Sequence, residues 1–154
     1  MARITINDNE VYPPVKGFSH AVKVKGEGVH LFISGILAKW SWKSDSIPWH
    51  ESVFHEEYAV VKDEGDIEGQ TRHILESIKR IVTHAGGSLD DIVRIVIYLV
   101  NMEHYPIVHR LRMEYFGEHP PASTCVQVSR LYDTRQLIEI EATAIIPQSL
   151  QGDL

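Results

Sequence analysis

The chain has 154 residues, 44% of them hydrophobic and 23% charged, with a formal net charge of −6. That length fits one domain with a sizeable core, and the acidic balance, with no lysine- or arginine-rich run, argues against a nucleic-acid backbone as the main partner. No apolar run reaches membrane-spanning length, MARITINDNE lacks the layout of a secretion signal, and the single cysteine, Cys125, forms no internal disulfide, so a cytoplasmic protein without a membrane partner is expected.

In chain order, Met1 to Gly17 holds a short apolar alternation at Ile4 and Ile6, then Pro13-Pro14 and Gly17 as punctuation. His20 to Ser34 predicts a hairpin: AVKVK, a turn at Gly26-Glu27-Gly28, then VHLFIS, which Gly35 ends. Ile36 to Gly65 is the least regular stretch. It carries Trp40, Trp42 and Trp49, every tryptophan of the protein, together with Pro48, His50 and His55. A connection of that length without periodicity reads as a functional or interface-forming insert, with a short strand near Glu57 to Val61.

Asp66 to Ala85 predicts an amphipathic helix. Ile67, Thr71, Ile74, Leu75, Ile78, Val82 and Ala85 recur at steps of three and four, Glu68, Arg72, Glu76, Lys79 and Arg80 take the other side, and Gly86-Gly87 stops it. Glu76 and Arg80 stand four apart in the favourable order. Ile92 to Val100 follows as a strand apolar on both alternating faces, with Val93, Ile95, Ile97 and Leu99 on one side and Ile92, Val96, Tyr98 and Val100 on the other. Pro106 opens a second helix whose stripe is Tyr105, Val108, Leu111, Tyr115 and Phe116, and Pro120-Pro121 end it. Cys125, Val126 and Val128 mark the next strand, and Leu137 to Ile145 the last; the tail from Pro147 is polar.

The order ββ, insert, α, β, α, ββ describes one α+β domain over residues 1–154, with a mixed sheet of five or six strands and two helices on one face. The central strand is apolar on both sides, so its second face needs a cover that two helices do not supply. A homo-oligomer closed on the open sheet face is therefore expected.

Few residues advertise chemistry on their own. Glu139 and Glu141 share one side of the last strand, opposite Ile138, Ile140 and Ala142, which by itself reads as a solvated face. Cys125 reads as a small buried hydrophobe rather than a nucleophile, because no His or acid sits at a telling spacing. His50, Glu51, His55, Glu56 and Glu57 match no compact zinc pattern, and neither a metal nor another cofactor is expected. The tryptophans suit a subunit contact or a pocket wall.

The motifs taken together carry more. GFSHAVKV at Gly17 to Val24, LFISG at Leu31 to Gly35, QTRHILESIKRIVTHAGGSLDDIVRIVIYLVNM at Gln70 to Met102, EYFGEHPPASTCVQVSRL from Glu114 and IEIEATA ending at Ala144 resemble the reactive-intermediate deaminase family (RidA or YjgF, with the older label L-PSP endoribonuclease). The likeness spans nearly everything outside Ile36 to Gly65. It implies a chorismate-mutase-like fold, a homotrimer, and clefts between neighbouring subunits where small-molecule enamines or imines derived from amino acids are hydrolysed.

The resemblance also implies a site. Glu139, Cys125 and Gly35 are retained, Glu139 as proton donor or water-orienting base and the other two through their backbones. Phe18 stands where the family has a tyrosine, His109 where it has an asparagine, and Ser123 where an arginine after the Pro-Ala pair grips the substrate carboxylate in a two-pronged bond. Arg94, Arg112, Arg130 and a protonated His109 are the cations placed by chain position to substitute. Two readings follow: a hydrolytic deaminase of an enamine, imine or unsaturated amino acid of aminomuconate-like type, or a ligand-binding relative that has lost the chemistry with its arginine. The acidic charge and the lack of a basic, aromatic-interleaved patch speak against the ribonuclease label.

Overall fold

The computed structural model of the chain describes residues 2–7, 19–38, 41–42 and 59–147. Phe18, Trp40, Trp49, the His50 to Glu57 cluster and the tail beyond residue 147 lie outside the described residues. The strands are β1 (Ala2–Ile6), β2 (Ala21–Lys25), β3 (Gly28–Ile36), β4 (Ser41–Trp42), β5 (Ala59–Val60), β6 (Ile92–Leu99), β7 (Ala122–Gln127) and β8 (Ile138–Pro147); the helices are α1 (Ile67–His84) and α2 (Tyr105–Phe116).

The main sheet runs β3-β8-β6-β7. β8 is antiparallel to both β3 and β6, and β7 lies parallel to β6 across the α2 connection, making the expected mixed α+β sheet, but with four strands among the described residues rather than five or six, because β1 and β2 pair with each other instead of joining it. β1 and β2 form a separate antiparallel ladder. Among the described residues a bridge, Ser19 to Ala122, ties it to the β7 edge, with Ser19 Oγ donating to the Pro120 carbonyl at 2.9 Å and Arg3 Nη2 donating to the same carbonyl at 3.0 Å. The predicted hairpin is corrected here. Its two arms are strands and Gly26 has a positive φ of 110°, but β2 pairs with β1 and β3 with β8. Turn chemistry located the bend, while partner choice was decided by β8, whose long apolar row β3 completes.

α1 forms where period and caps agree. Asp66 accepts from the Glu68 N–H at 3.0 Å, and Gly86 (φ 83°) closes the helix as its N–H donates to the Thr83 carbonyl and that of Gly87 to the Val82 carbonyl. Ile74, Leu75, Ile78 and Val82 are fully buried, each contributing about 1.5–3 kcal/mol relative to exposure. Ala85 is exposed, and Gln70, unmarked by the pattern, is fully buried. Its side chain accepts from the Leu137 N–H at 2.8 Å and donates to the Asp63 and Arg135 carbonyls, fastening α1 to the approach of β8. On the outer face Glu68, Arg72, Arg110 and Glu114 form an ion-pair network between the helices. Glu76 is engaged by the Tyr115 hydroxyl.

Both helices cover one sheet face, and the core lies between them: Ile95, Ile97 and Leu99 of β6, Ile138, Ile140, Ala142, Ala144 and Ile146 of β8, with Val108, Leu111 and Phe116 of α2. Ile92 joins this side rather than the opposite one, because a bulge between Ile92 and Arg94 reverses the alternation once. The other face is mixed, which corrects the expected apolar patch. Arg94, Val96 and Tyr98 lie beside Thr143, Glu141 and Glu139 of β8, and Arg94 pairs with Glu141 at 3.2 Å. Val96 is 5% exposed, whereas Phe32 at the β3 edge is 78% exposed.

Candidate functional site

The sequence-derived site residues fall into two groups. The first lies on the open sheet face. Glu139, half-buried, stands on β8 opposite Tyr98, and its carboxyl is seated against Gly35 of β3: a Cβ at position 35 would lie 1.7 Å from Glu139 Oε1. Gly35 is therefore required for close approach, since any side chain would occupy the space of the carboxyl. Gln136 holds the two together by accepting from the Ala38 N–H at 3.1 Å and donating to the Ala38 carbonyl at 3.2 Å, so the end of β3 stays against the start of β8. Burial, and secondarily the charge of Glu141, raises the Glu139 carboxyl above the ordinary carboxylate range. Glu141 is engaged by Arg94 and by the Tyr98 hydroxyl, whose own proton is held more tightly through burial and the two carboxylates. One carboxylate is ion-paired in place, and its neighbour holds a proton more readily than an ordinary glutamate.

The second group lies between β7 and α2. Ser123 pairs with Ile95 and Cys125 with Ile97, so both point toward the helices. Arg112, 1% exposed, reaches down from α2. Its Nη1 donates to Ser123 Oγ at 2.5 Å, and its Nη2 to Tyr105 Oη at 3.1 Å and to His109 Nδ1 at 2.8 Å. Tyr105 stacks on His109 with centroids 5.6 Å apart, and the guanidinium carbon lies 5.6 Å from the Tyr105 ring centre. A guanidinium only donates, so His109 Nδ1 accepts and the neutral ring carries its proton on Nε2. Burial first, and Arg112 second, push the His109 pKa down, so His109 is not the substituting cation at neutral pH. Burial pushes the Cys125 thiol up against the pull of Arg112, which leaves it a poor nucleophile.

These two groups do not meet within one chain. Gly35 is on edge strand β3 and Cys125 on the opposite edge strand β7, with β8 and β6 between them, a span of about 14 Å at normal strand spacing. Glu139 and Ser123 moreover project from opposite faces. Phe18 lies outside the described residues, although the next residue, Ser19, is fixed beside Ala122. Sequence reasoning placed Arg112 only among several cations. The signal that singles it out is position: Val108, Leu111, Arg112 and Phe116 are the buried residues of α2, so the guanidinium lies on the helix's inner stripe. Tyr98 and Tyr105 carried no such signal. Among the described residues, no three His, Cys, Asp or Glu side chains come together as a metal site.

Comparison with known proteins agrees with this architecture. The family model described as Endoribonuclease L-PSP matches residues 9–146. A RutC family protein of Pyrococcus abyssi is 35% identical over 144 residues, covering 94% of this chain and 98% of the relative. The 3-aminoacrylate deaminase RutC of Acinetobacter baylyi is 46% identical over 80 residues, covering 52% of this chain and 63% of that enzyme. Among solved structures, the Rid-family protein YyfB of Yersinia pestis superposes with a TM-score of 0.75 at 31% identity, covering 95% of this chain and all of that one. A match over nearly the whole chain, in sequence and in fold, shows that this protein belongs to the RidA/YjgF family, the family described as Endoribonuclease L-PSP.

Proposed function

We propose that the protein is a hydrolytic deaminase of a small enamine or imine bearing a carboxylate, working in a cleft between neighbouring copies of a homotrimer. The observation that carries the reading is Glu139: a half-buried carboxyl seated on Gly35, its pKa raised, beside a second carboxylate that is ion-paired with Arg94. Such a group suits both halves of the reaction. Protonation of the enamine carbon gives an iminium, and water adds to the iminium carbon as a carboxylate takes its proton. The resulting carbinolamine then loses ammonia, the C–N bond breaking as the carbonyl forms. The likeness to a 3-aminoacrylate deaminase supports three-carbon enamine acids as candidate substrates, beside the aminomuconate-like acids suggested by sequence.

The cleft between copies is supported by the separation of the two residue groups. A small molecule cannot span opposite edges and opposite faces of one sheet, so a site using both draws Glu139 and Gly35 from one copy and the β7–α2 group from its neighbour. The net charge of −6 does not favour an RNA backbone as substrate. Ammonia release from freshly generated enamines and imines, 3-aminoacrylate included, tests the proposal, with Glu139→Gln as the control that retains shape and loses proton exchange. The second reading, a binding protein without turnover, is favoured by Ser123 alone; ligand binding without ammonia release from any member of the panel would establish it.

A further inference from the structure

The side chains of Gln70, on α1, and Gln136, ahead of β8, are fully buried. A primary amide in a core is costly unless it is hydrogen-bonded, and both find their partners on the main chain. Gln136 Oε1 accepts from the Ala38 N–H at 3.1 Å and Nε2 donates to the Ala38 carbonyl at 3.2 Å. These are the bonds that a strand residue exchanges with its partner in an antiparallel ladder. The β3–β8 ladder is irregular between Ile33 and Ile36, where Gly35 lies, and its last backbone pair is Ile36 with Ile140. The Gln136 amide extends the ladder beyond that pair, so the irregular stretch carrying Gly35 is gripped on both sides. Gln70 Oε1 accepts from the Leu137 N–H at 2.8 Å, and Nε2 donates to the Asp63 carbonyl at 3.2 Å and the Arg135 carbonyl at 3.1 Å. The Leu137 carbonyl accepts from the Val100 N–H at 3.2 Å, just past the end of β6. Arg135 to Leu137 is thus fastened to α1, to the end of β3 and to the end of β6 immediately before the chain reaches Glu139.

We propose that Gln136 and Gln70 are positioning residues for Glu139: their amides clamp the end of β3 to the start of β8, and closure of this clamp is energetically coupled to the proton on Glu139. Its catalytic meaning rests on the deaminase reading, whereas the coupling itself does not. Glu139 Oε1 lies within 1.7 Å of where a Cβ of residue 35 would stand, so the closed clamp leaves no room for water on that side of the carboxyl. A carboxyl deprived of water keeps its proton more tightly, and burial is the larger cause of the raised Glu139 pKa, ahead of Glu141. Linkage runs both ways: a clamp that favours the protonated form is favoured by it, and opens more readily once Glu139 ionises. Amides and backbone groups do not titrate, so a pH dependence of the clamp comes from its neighbours. Among the described residues, Glu141 of β8 and Tyr98 and Arg94 of β6 face Glu139. β3 brings Gly35 against it, and Asp133 and Arg135, ahead of the clamp, pair with each other.

The test needs no turnover. Amide hydrogen exchange at Ala38, corrected for the intrinsic rate at each pH, reports opening of the clamp in the unmodified protein. Protection should fall as pH rises through the Glu139 titration, by about tenfold for each unit that closure adds to that pKa, and Glu139→Gln should flatten the profile. Gln136→Met keeps the volume and removes both bonds to Ala38. It should bring the Glu139 carboxyl, followed by carbon-13 NMR, back toward an ordinary glutamate, and should lower kcat roughly 10- to 100-fold while changing KM less. Gln70→Met should move the carboxyl titration in the same direction. Ala38 protection that ignores the Glu139 titration, or that keeps its pH dependence in Glu139→Gln, overturns the proposal, as does an unmoved carboxyl in a folded Gln136→Met. The exchange profile is read on the parent, so the test stands even where a glutamine variant does not fold. Coupling without ammonia release from any enamine keeps the clamp and refutes the deaminase; ammonia release without coupling does the reverse.

Discussion

Replacing Gly35 by alanine probes the seat of Glu139 with a single methyl group. The new Cβ would lie 1.7 Å from Glu139 Oε1, 2.7 Å from Cδ and 3.1 Å from Cγ, and side-chain carbons do not approach within 3.0 Å of such atoms. The carboxyl must therefore withdraw by more than an ångström. The obstructing atoms are the far end of a flexible side chain, so the backbone has no need to move and strain stays near 1 kcal/mol. Against this, alanine in a strand interior is about 0.5–1 kcal/mol better than glycine. The thermal midpoint should consequently change by only a few degrees. Function should not survive as well: a displacement of that size costs on the order of 100-fold in kcat/KM, and the carboxyl, moved toward solvent, should titrate closer to an ordinary glutamate. The assay pairs a thermal melt with ammonia release and a carbon-13 NMR titration of the Glu139 carboxyl. Unchanged turnover, with the titration shifted, would refute the reasoning by showing that the position of this carboxyl is irrelevant to the reaction.

Four further outcomes are expected. Glu139→Gln should lower kcat by roughly two to four powers of ten while leaving assembly intact; undiminished turnover removes Glu139 from the chemistry. The same substitution should stabilise the fold at neutral pH. Because the folded pKa of Glu139 is raised, its contribution is fully present below the unfolded carboxylate value of about 4.3 and is lost as pH rises through the folded value, so the melting difference between variant and parent should vanish below pH about 4. Sedimentation should give about three times 17.5 kDa, a micromolar monomer being the contrary result, and Glu139→Gln co-expressed with Arg112→Gln should regain activity at about a quarter of the interfaces, whereas residues drawn from one chain would regain none.

What could be read from the chain alone was local. The span of α1 follows from apolar spacing, Asp66 and Gly86, all of which act within a few residues of the helix ends, and β6 follows from a run of β-branched side chains. The family motifs likewise lie in contiguous segments, so the retained Glu139, Cys125 and Gly35 and the altered Ser123 were all legible, though not their arrangement in space. The non-local choices were not legible. Whether β3 pairs with β2 or with β8 depends on how much apolar surface each pairing buries, a quantity set by a strand more than a hundred residues away. A one-residue bulge in β6 moved Ile92 to the helix side, because a period of two gives no warning of an insertion that reverses it. Arg112 sits at helical spacing among apolar residues, where periodicity marks it as a misfit. Only the packing of α2 on β7 turned that misfit into a buried cation held by Ser123, Tyr105 and His109, since the free energy of a buried charge is decided by the groups that surround it and not by its place in the chain.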